Sequence, residues 1–230
     1  LAVALIIALR HREIEACLGE LRRNEGLRRV LGIESEDQVP KAWNMSRFLD
    51  CLGEEPHRTL LHGIFGEQIE RLGAVVPDLG RHTAGDATGL SARRKDDAGA
   101  KPEIAAGLPQ ASGGRKEYTD ADGKVTEVVE WFGFKLHLLV DTRHEVALEY
   151  RITDTKAGDA ETLPEVLAAA QSHLPAGRIE SLAFDKAADT CDVHQLLSEQ
   201  NITPVIQMRS LWKEEPERML PGHDGNSNIV

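Results

Sequence analysis

From His82 onward the sequence passes through strand-like and helix-like patterns in an order that few folds accommodate. "HTAGDATGL" alternates, with His82, Ala84, Asp86 and Thr88 on one face and Thr83, Gly85, Ala87 and Gly89 on the other, which places Asp86 in mid-strand. "WFGFKLHLLVD" alternates in the same way. Phe132, Phe134, Leu136 and Leu138 form its apolar face, expected to be core, and Trp131, Gly133, Lys135 and His137 form the other. A third strand, "HEVALEYRIT", follows a turn at Asp141 to His144, and Asp122 with Gly123 marks a hairpin turn before the second. Three successive strands joined by turns pair as antiparallel neighbours.

The pattern then changes. "AGDAETLPEVLAAAQSHL" reads as a helix whose Pro164 falls in the first turn, where a missing N–H has no partner to lose. A strand "RIESLAFD" ends at Asp185, "TCDVHQLLSEQ" reads as a helix and "ITPVIQM" as a strand, a unit that predicts parallel pairing through a right-handed crossover. The expected fold is α/β, a mixed five-stranded sheet flanked by helices.

Residues 1 to 78 carry a different signal and predict a small helical domain ahead of a sheet domain spanning 79 to 230. Leu61, Ile64, Phe65, Ile69 and Leu72 form one stripe, with Gly73 as a stop, and "SEDQVPKAWNMSRFLDCLG" offers Ser35 or Asp37 as a cap and ends at Gly53. The opening "LAVALIIALR" is apolar but too short to span a bilayer and lacks a basic leader, so no membrane association is expected. Three isolated cysteines without metal-ligand spacing fit reduced thiols in the cytoplasm.

A carboxylate in the middle of a buried strand costs free energy unless hydrogen bonds or a cation compensate it. If the strand ending at Asp185 lies beside the strand carrying Asp86, the two carboxylates become neighbours. Their repulsion is relieved by a divalent cation, and hard oxygen donors select Mg2+ or Mn2+. Simpler roles compete: Asp86 as a turn cap, and Asp185 as the N-cap of the next helix beside Asp189, Thr190 and Asp192.

The net charge of -11 repels nucleic acid, so DNA binding requires a local basic surface or metal ions. Arg93, Arg94 and Lys95 lie in the polar stretch Ser91 to Thr119, expected to be a flexible flap, and could meet backbone phosphates, although Asp96 and Asp97 follow directly. Lys135 and His137 could do the same from their strand, unless a helix covers that face. Other chemistries fail. "YTDADGKVTEVV" has Tyr118 and Val129 where a calcium loop needs acidic ligands, Ser91 lacks the glycine frame of a nucleophile elbow, and no glycine-rich phosphate loop occurs.

"AGDATGL", "WFGFKLHLLVD", "ITDTKAGDAETLPEVL", "LAFDKAADT" and "ITPVIQMR" resemble, in order and spacing, the successive blocks of DDE transposases of bacterial insertion sequences, whose catalytic domain has a ribonuclease H-like fold. The resemblance runs from about Asp86 to Arg209, and "VPKAWNMSRFLDCLG" is similar to the helical N-terminal region of those enzymes, an expected DNA-end binding element. It implies that Asp86 and Asp185 are the first two metal-binding catalytic carboxylates, using Mg2+ or Mn2+ for phosphodiester cleavage and strand transfer on double-stranded transposon ends. It is also compatible with a homodimer.

The third carboxylate of the family, a glutamate on a later helix, has no match. Glu214, Glu215, Glu217 and Asp224 follow the last strand too closely, which leads to the expectation of a C-terminally truncated chain, inactive alone. "DKAADT" also has Ala187 and Ala188 where the family carries a glycine and an aromatic residue. The alternatives are a non-catalytic remnant that regulates by binding DNA or a partner, and a structure-specific nuclease on the same fold.

Overall fold

The helical and strand-rich halves form two units, Leu1–Phe65 and Gly66–Val230, in the computed structural model of the chain. Residues 13–92, 108–120 and 124–208 are described. The division falls inside a long helix rather than after residue 78, because the second half of that helix packs within the second unit.

In the first unit, α1 (Ile14–Arg23), α2 (Glu25–Val30) and α3 (Ala42–Gly53) surround a core of Ile14, Cys17, Leu18 and Leu21, at helical spacing, with Val39 and Met45. Burial raises the Cys17 thiol above its ordinary range, helped by Glu20. Neither Ser35 nor Asp37 caps α3. The residue before a proline avoids the helical region, Val39 is extended ahead of Pro40, and the helix starts only at Ala42, where Asn44 Oδ1 accepts from the Lys41 N–H at 3.2 Å.

Helix α4 (His57–Val75) runs through Gly73 instead of stopping there. The expected stripe is mostly solvent-facing: Leu61, Ile64 and Leu72 are exposed, whereas Gly66, Ile69 and Gly73 are buried. Small residues permit a close approach here, since a Cβ on Gly66 would lie 2.3 Å from the His173 ring, and one on Gly73 3.3 Å from Leu174.

The second unit is a mixed sheet of β1 (His82–Ser91), β2 (Ser112–Thr119), β3 (Val125–Asp141), β4 (Val146–Thr153), β5 (Ser181–Phe184) and β6 (Thr203–Ile206). Helix α5 (Asp159–His173) joins β4 to β5, and α6 (Cys191–Glu199) joins β5 to β6. The sheet order is β2-β3-β1-β5-β6, with β4 also on β3; pairings among β1 to β4 are antiparallel, and β1–β5 and β5–β6 are parallel. This is the ribonuclease H-like arrangement of strands and crossovers that the resemblance implies.

The sheet has six strands, not five, because Ser112–Thr119, expected as part of a flap, is a strand along the first half of β3. Asp122 and Gly123 lie outside the described residues; beside them the Asp120 N–H donates to the Lys124 carbonyl at 2.9 Å. Both ladders of β3 reach Gly133, which stands opposite Ser91 on β1 and Ser112 on β2. A Cβ there would lie 2.0 Å from the Leu90 carbonyl oxygen, so glycine alone fits.

The covered face of β3 is also the reverse of the expected one. Gly133, His137, Leu139 and Asp141 are buried, whereas Leu136 and Leu138 are half-buried and Ile152, opposite Leu136, is exposed. Helix α5 buries Leu163, Val166, Leu167 and Ala170, and its first residue, Asp159, pairs with Lys135 and His137, which removes the obstacle to covering a face that carries two basic groups. Because α5 starts at Asp159, Pro164 stands in the second turn rather than the first.

Candidate active site

Strands β1 and β5 pair at His82–Ser181, Thr83–Leu182 and Ala84–Ala183, an offset of 99 residues (183 − 84), and Asp86 and Asp185 keep that offset (185 − 86). Parallel partners point the same way and side chains repeat every second residue. The two aspartates therefore occupy the next same-face position beyond the last recorded pair, where β5 ends. The location has a topological cause. Successive strands pair on one side of β1 until the α5 crossover carries the chain to its other side, and ligands of open α/β sheets sit outside the carboxyl ends of strands at such reversals.

The two carboxylates are held alike. Asp86 Oδ1 accepts from the Ala87 N–H at 2.7 Å, and Asp185 Oδ1 accepts from the Ala187 N–H at 2.8 Å, capping the 3-10 turn Lys186–Ala188. Among the described residues neither Oδ2 has a hydrogen-bond partner. Both residues are exposed, which corrects the expectation of a buried Asp86. The capping role of Asp185 and a ligand role coexist, one on each oxygen, and Thr190 caps α6 through its Oγ1, which accepts from the Val193 N–H at 3.3 Å.

Two hard oxygen donors, fixed in direction by adjacent N–H groups, fit Mg2+ or Mn2+, with water or phosphate oxygens completing the shell. Among the described residues no group of three His, Cys, Asp or Glu side chains could hold a metal ion. Glu214, Glu215, Glu217 and Asp224 lie outside the described residues, as do Arg93, Arg94 and Lys95.

Lys135 and His137 are not presented to phosphate. Lys135 Nζ lies 2.6 Å from Asp159 Oδ1 and donates to the Ala157 carbonyl at 3.1 Å. His137, 4% exposed, places Nδ1 3.3 Å from the same Asp159 oxygen and Nε2 3.0 Å from Thr153 Oγ1. This corrects their assignment as DNA contacts, since a helix covers the face. Burial pushes the Asp159 carboxyl up, but hydrogen bonding to His137 and Lys135, with the charges of both, outweighs it and holds the group below its ordinary range.

Sequence reasoning missed Asp159. Its signal was present as a lone acidic residue opening a helix, downstream of two basic residues spaced two apart on one strand. No helix among the described residues is long and apolar enough to cross a membrane.

Comparison with known proteins bears on residues 77–227, which match the family described as transposase DDE domain. No curated protein matches the chain. Among solved structures, a chain described as "Mos1 transposase paired-end complex with left transposon end" is similar at 15% identity and a TM-score of 0.31. The likeness covers 83% of this chain and 57% of that one, so this chain spans little more than half of its relative's length.

Proposed function

The chain belongs to the transposase DDE domain family, and from that membership we propose that Asp86 and Asp185 together bind Mg2+ or Mn2+ for phosphodiester cleavage and strand transfer at double-stranded transposon ends. The observation that supports the reading is the β1–β5 register, whose offset of 99 residues Asp86 and Asp185 share just beyond the last recorded pair.

Each Oδ1 accepts from a neighbouring N–H, which leaves the other oxygen of each carboxylate available to a ligand. The paired negative charge favours a divalent over a monovalent ion. A metal held there supplies activation of a water or 3′ hydroxyl and stabilisation of the leaving oxygen in an in-line displacement. Metal charge also offsets the repulsion between DNA and a chain of net charge -11, and Arg93, Arg94 and Lys95 add local positive charge close in sequence to Asp86. The helical first unit would bind the transposon end, and the working form would be a homodimer in the cytoplasm.

Thermal melting with and without Mn2+ tests the site, run on the wild type, Asp86→Asn and Asp185→Asn. The wild type should gain stability with added metal and both variants should lose that gain; an equal gain in all three overturns the assignment. A labelled transposon-end duplex then separates the roles. Metal-dependent nicking supports the enzyme, whereas duplex binding without nicking supports the regulatory alternative.

A further inference from the structure

The buried cluster behind Asp86 is not accounted for by the metal site itself. Asp159 Oδ1 receives both Lys135 and His137, and the side chains of Asp159 and Lys135 are only 16% and 20% exposed. Thr153 Oγ1 donates to the Asp154 carbonyl at 2.9 Å, so it accepts from His137 Nε2, which turns Nδ1 toward Asp159 Oδ1 at 3.3 Å. Across the β1–β3 ladder His137 stands opposite Ala87 and Lys135 opposite Gly89, so both follow Asp86 along β1, on the sheet face opposite its side chain. Phe184 backs the same segment, where a Cβ on Gly85 would lie 2.3 Å from its ring. Asp86, His137, Asp159 and Phe184 line one small cavity.

We propose that Asp159, Lys135 and His137 form a positioning cluster that fixes the strand beneath Asp86 and sets the local charge there, so that the cluster tunes the divalent-cation affinity of Asp86. The inference rests on the metal-site reading above. The charges of Lys135 and Asp159 offset one another only while both are present, and removing one leaves an uncompensated charge in a low-dielectric place near the carboxylate. Removing the Asp159 charge leaves excess positive charge and weakens cation binding. Removing the Lys135 charge leaves excess negative charge and strengthens it. A role in packing alone gives no such opposition, because breaking the pair from either side loosens the same strand.

The test is direct Mn2+ binding to the full chain, read as free Mn2+ by electron paramagnetic resonance, for the wild type, Asp159→Asn, Lys135→Gln, Lys135→Arg and Asp86→Asn. Asp159→Asn should raise the Kd and Lys135→Gln should lower it, each by about three- to tenfold, from the Coulomb interaction of a unit charge with a divalent ion across the sheet. Lys135→Arg should restore the wild-type Kd.

Equal Kd values in wild type and cluster variants, or shifts in the same direction, overturn the cluster's role while leaving the metal site standing. An unchanged Kd in Asp86→Asn, or no Mn2+ binding by the wild type, overturns the metal-site reading and this inference with it. Should Asp159→Asn not fold, a Lys135→Gln Kd at or above the wild-type value still overturns the proposal.

Discussion

At the amino end of β1, Asp141 lies opposite Thr83 and is 1% exposed; at the far end of the β1–β5 pairing, Asp86 and Asp185 are exposed. Asp141 commits both its oxygens. Oδ2 accepts from the Gly80 N–H at 2.6 Å, and Oδ1 accepts from the N–H groups of Arg143 at 2.9 Å and His144 at 2.5 Å. The pair at the other end commits only one oxygen each. The same side chain thus serves as a structural knot where its acceptors are consumed by backbone donors, and as a candidate ligand where an acceptor remains.

The largest effect that could break this contrast is on Asp141. Asp141→Ala strands one buried and two part-buried N–H groups and should cost about 2–3 kcal/mol, at 1–3 kcal/mol for the buried group and less for the two that water reaches. Urea unfolding measures it, and the stability gained from Mn2+ should be unchanged in the variant. Loss of the metal response there would erase the distinction between the two ends.

Next in size, saturating Mn2+ should stabilise the wild type by about 2.7 kcal/mol at a hundredfold excess over Kd, a gain absent in Asp86→Asn and Asp185→Asn. Without metal, Asp86→Asn should unfold within about 0.5 kcal/mol of the wild type, as an exposed substitution does. A large metal-free loss would make Asp86 a second structural knot. Smaller again, Thr190→Ala should cost about 1 kcal/mol through loss of the α6 cap and leave the metal response intact, because Asp185 caps a different turn.

Acid titration sharpens the contrast last. The folded Asp159 carboxyl is held below its ordinary value, so its contribution to stability is fully present above the unfolded value near 4 and is lost as pH falls through the lower folded value. The stability difference between wild type and Asp159→Asn should therefore shrink as the pH drops below about 4. A difference that stays constant down to the lowest pH would remove the ion pair from the account.

Much of this was legible in the chain. Alternation gave the faces of β1 and β3, the turn residues gave the antiparallel run, and the helix patterns after Thr153 gave the two crossovers, because period and punctuation are local properties. The strand at Ser112–Thr119 was not legible, since "SGGRKEYT" is polar and carries two glycines, and its pairing with β3 is what makes it a strand. The stripe on α4 misled for a related reason: glycines, not leucines, mark where that helix makes its close approach.

What the sequence determined by itself is the order of elements and, through it, that the strand carrying Asp86 adjoins the strand that ends just before Asp185, because a right-handed crossover leaves the strand after α5 little choice of neighbour. What only the tertiary structure decided is which face of β3 is covered and what each carboxylate is left free to do. Alternation labels two faces without saying which one receives a helix. That depended on Asp159 meeting Lys135 and His137 across a layer, a compensation of charges 22 to 24 residues apart that no local pattern encodes.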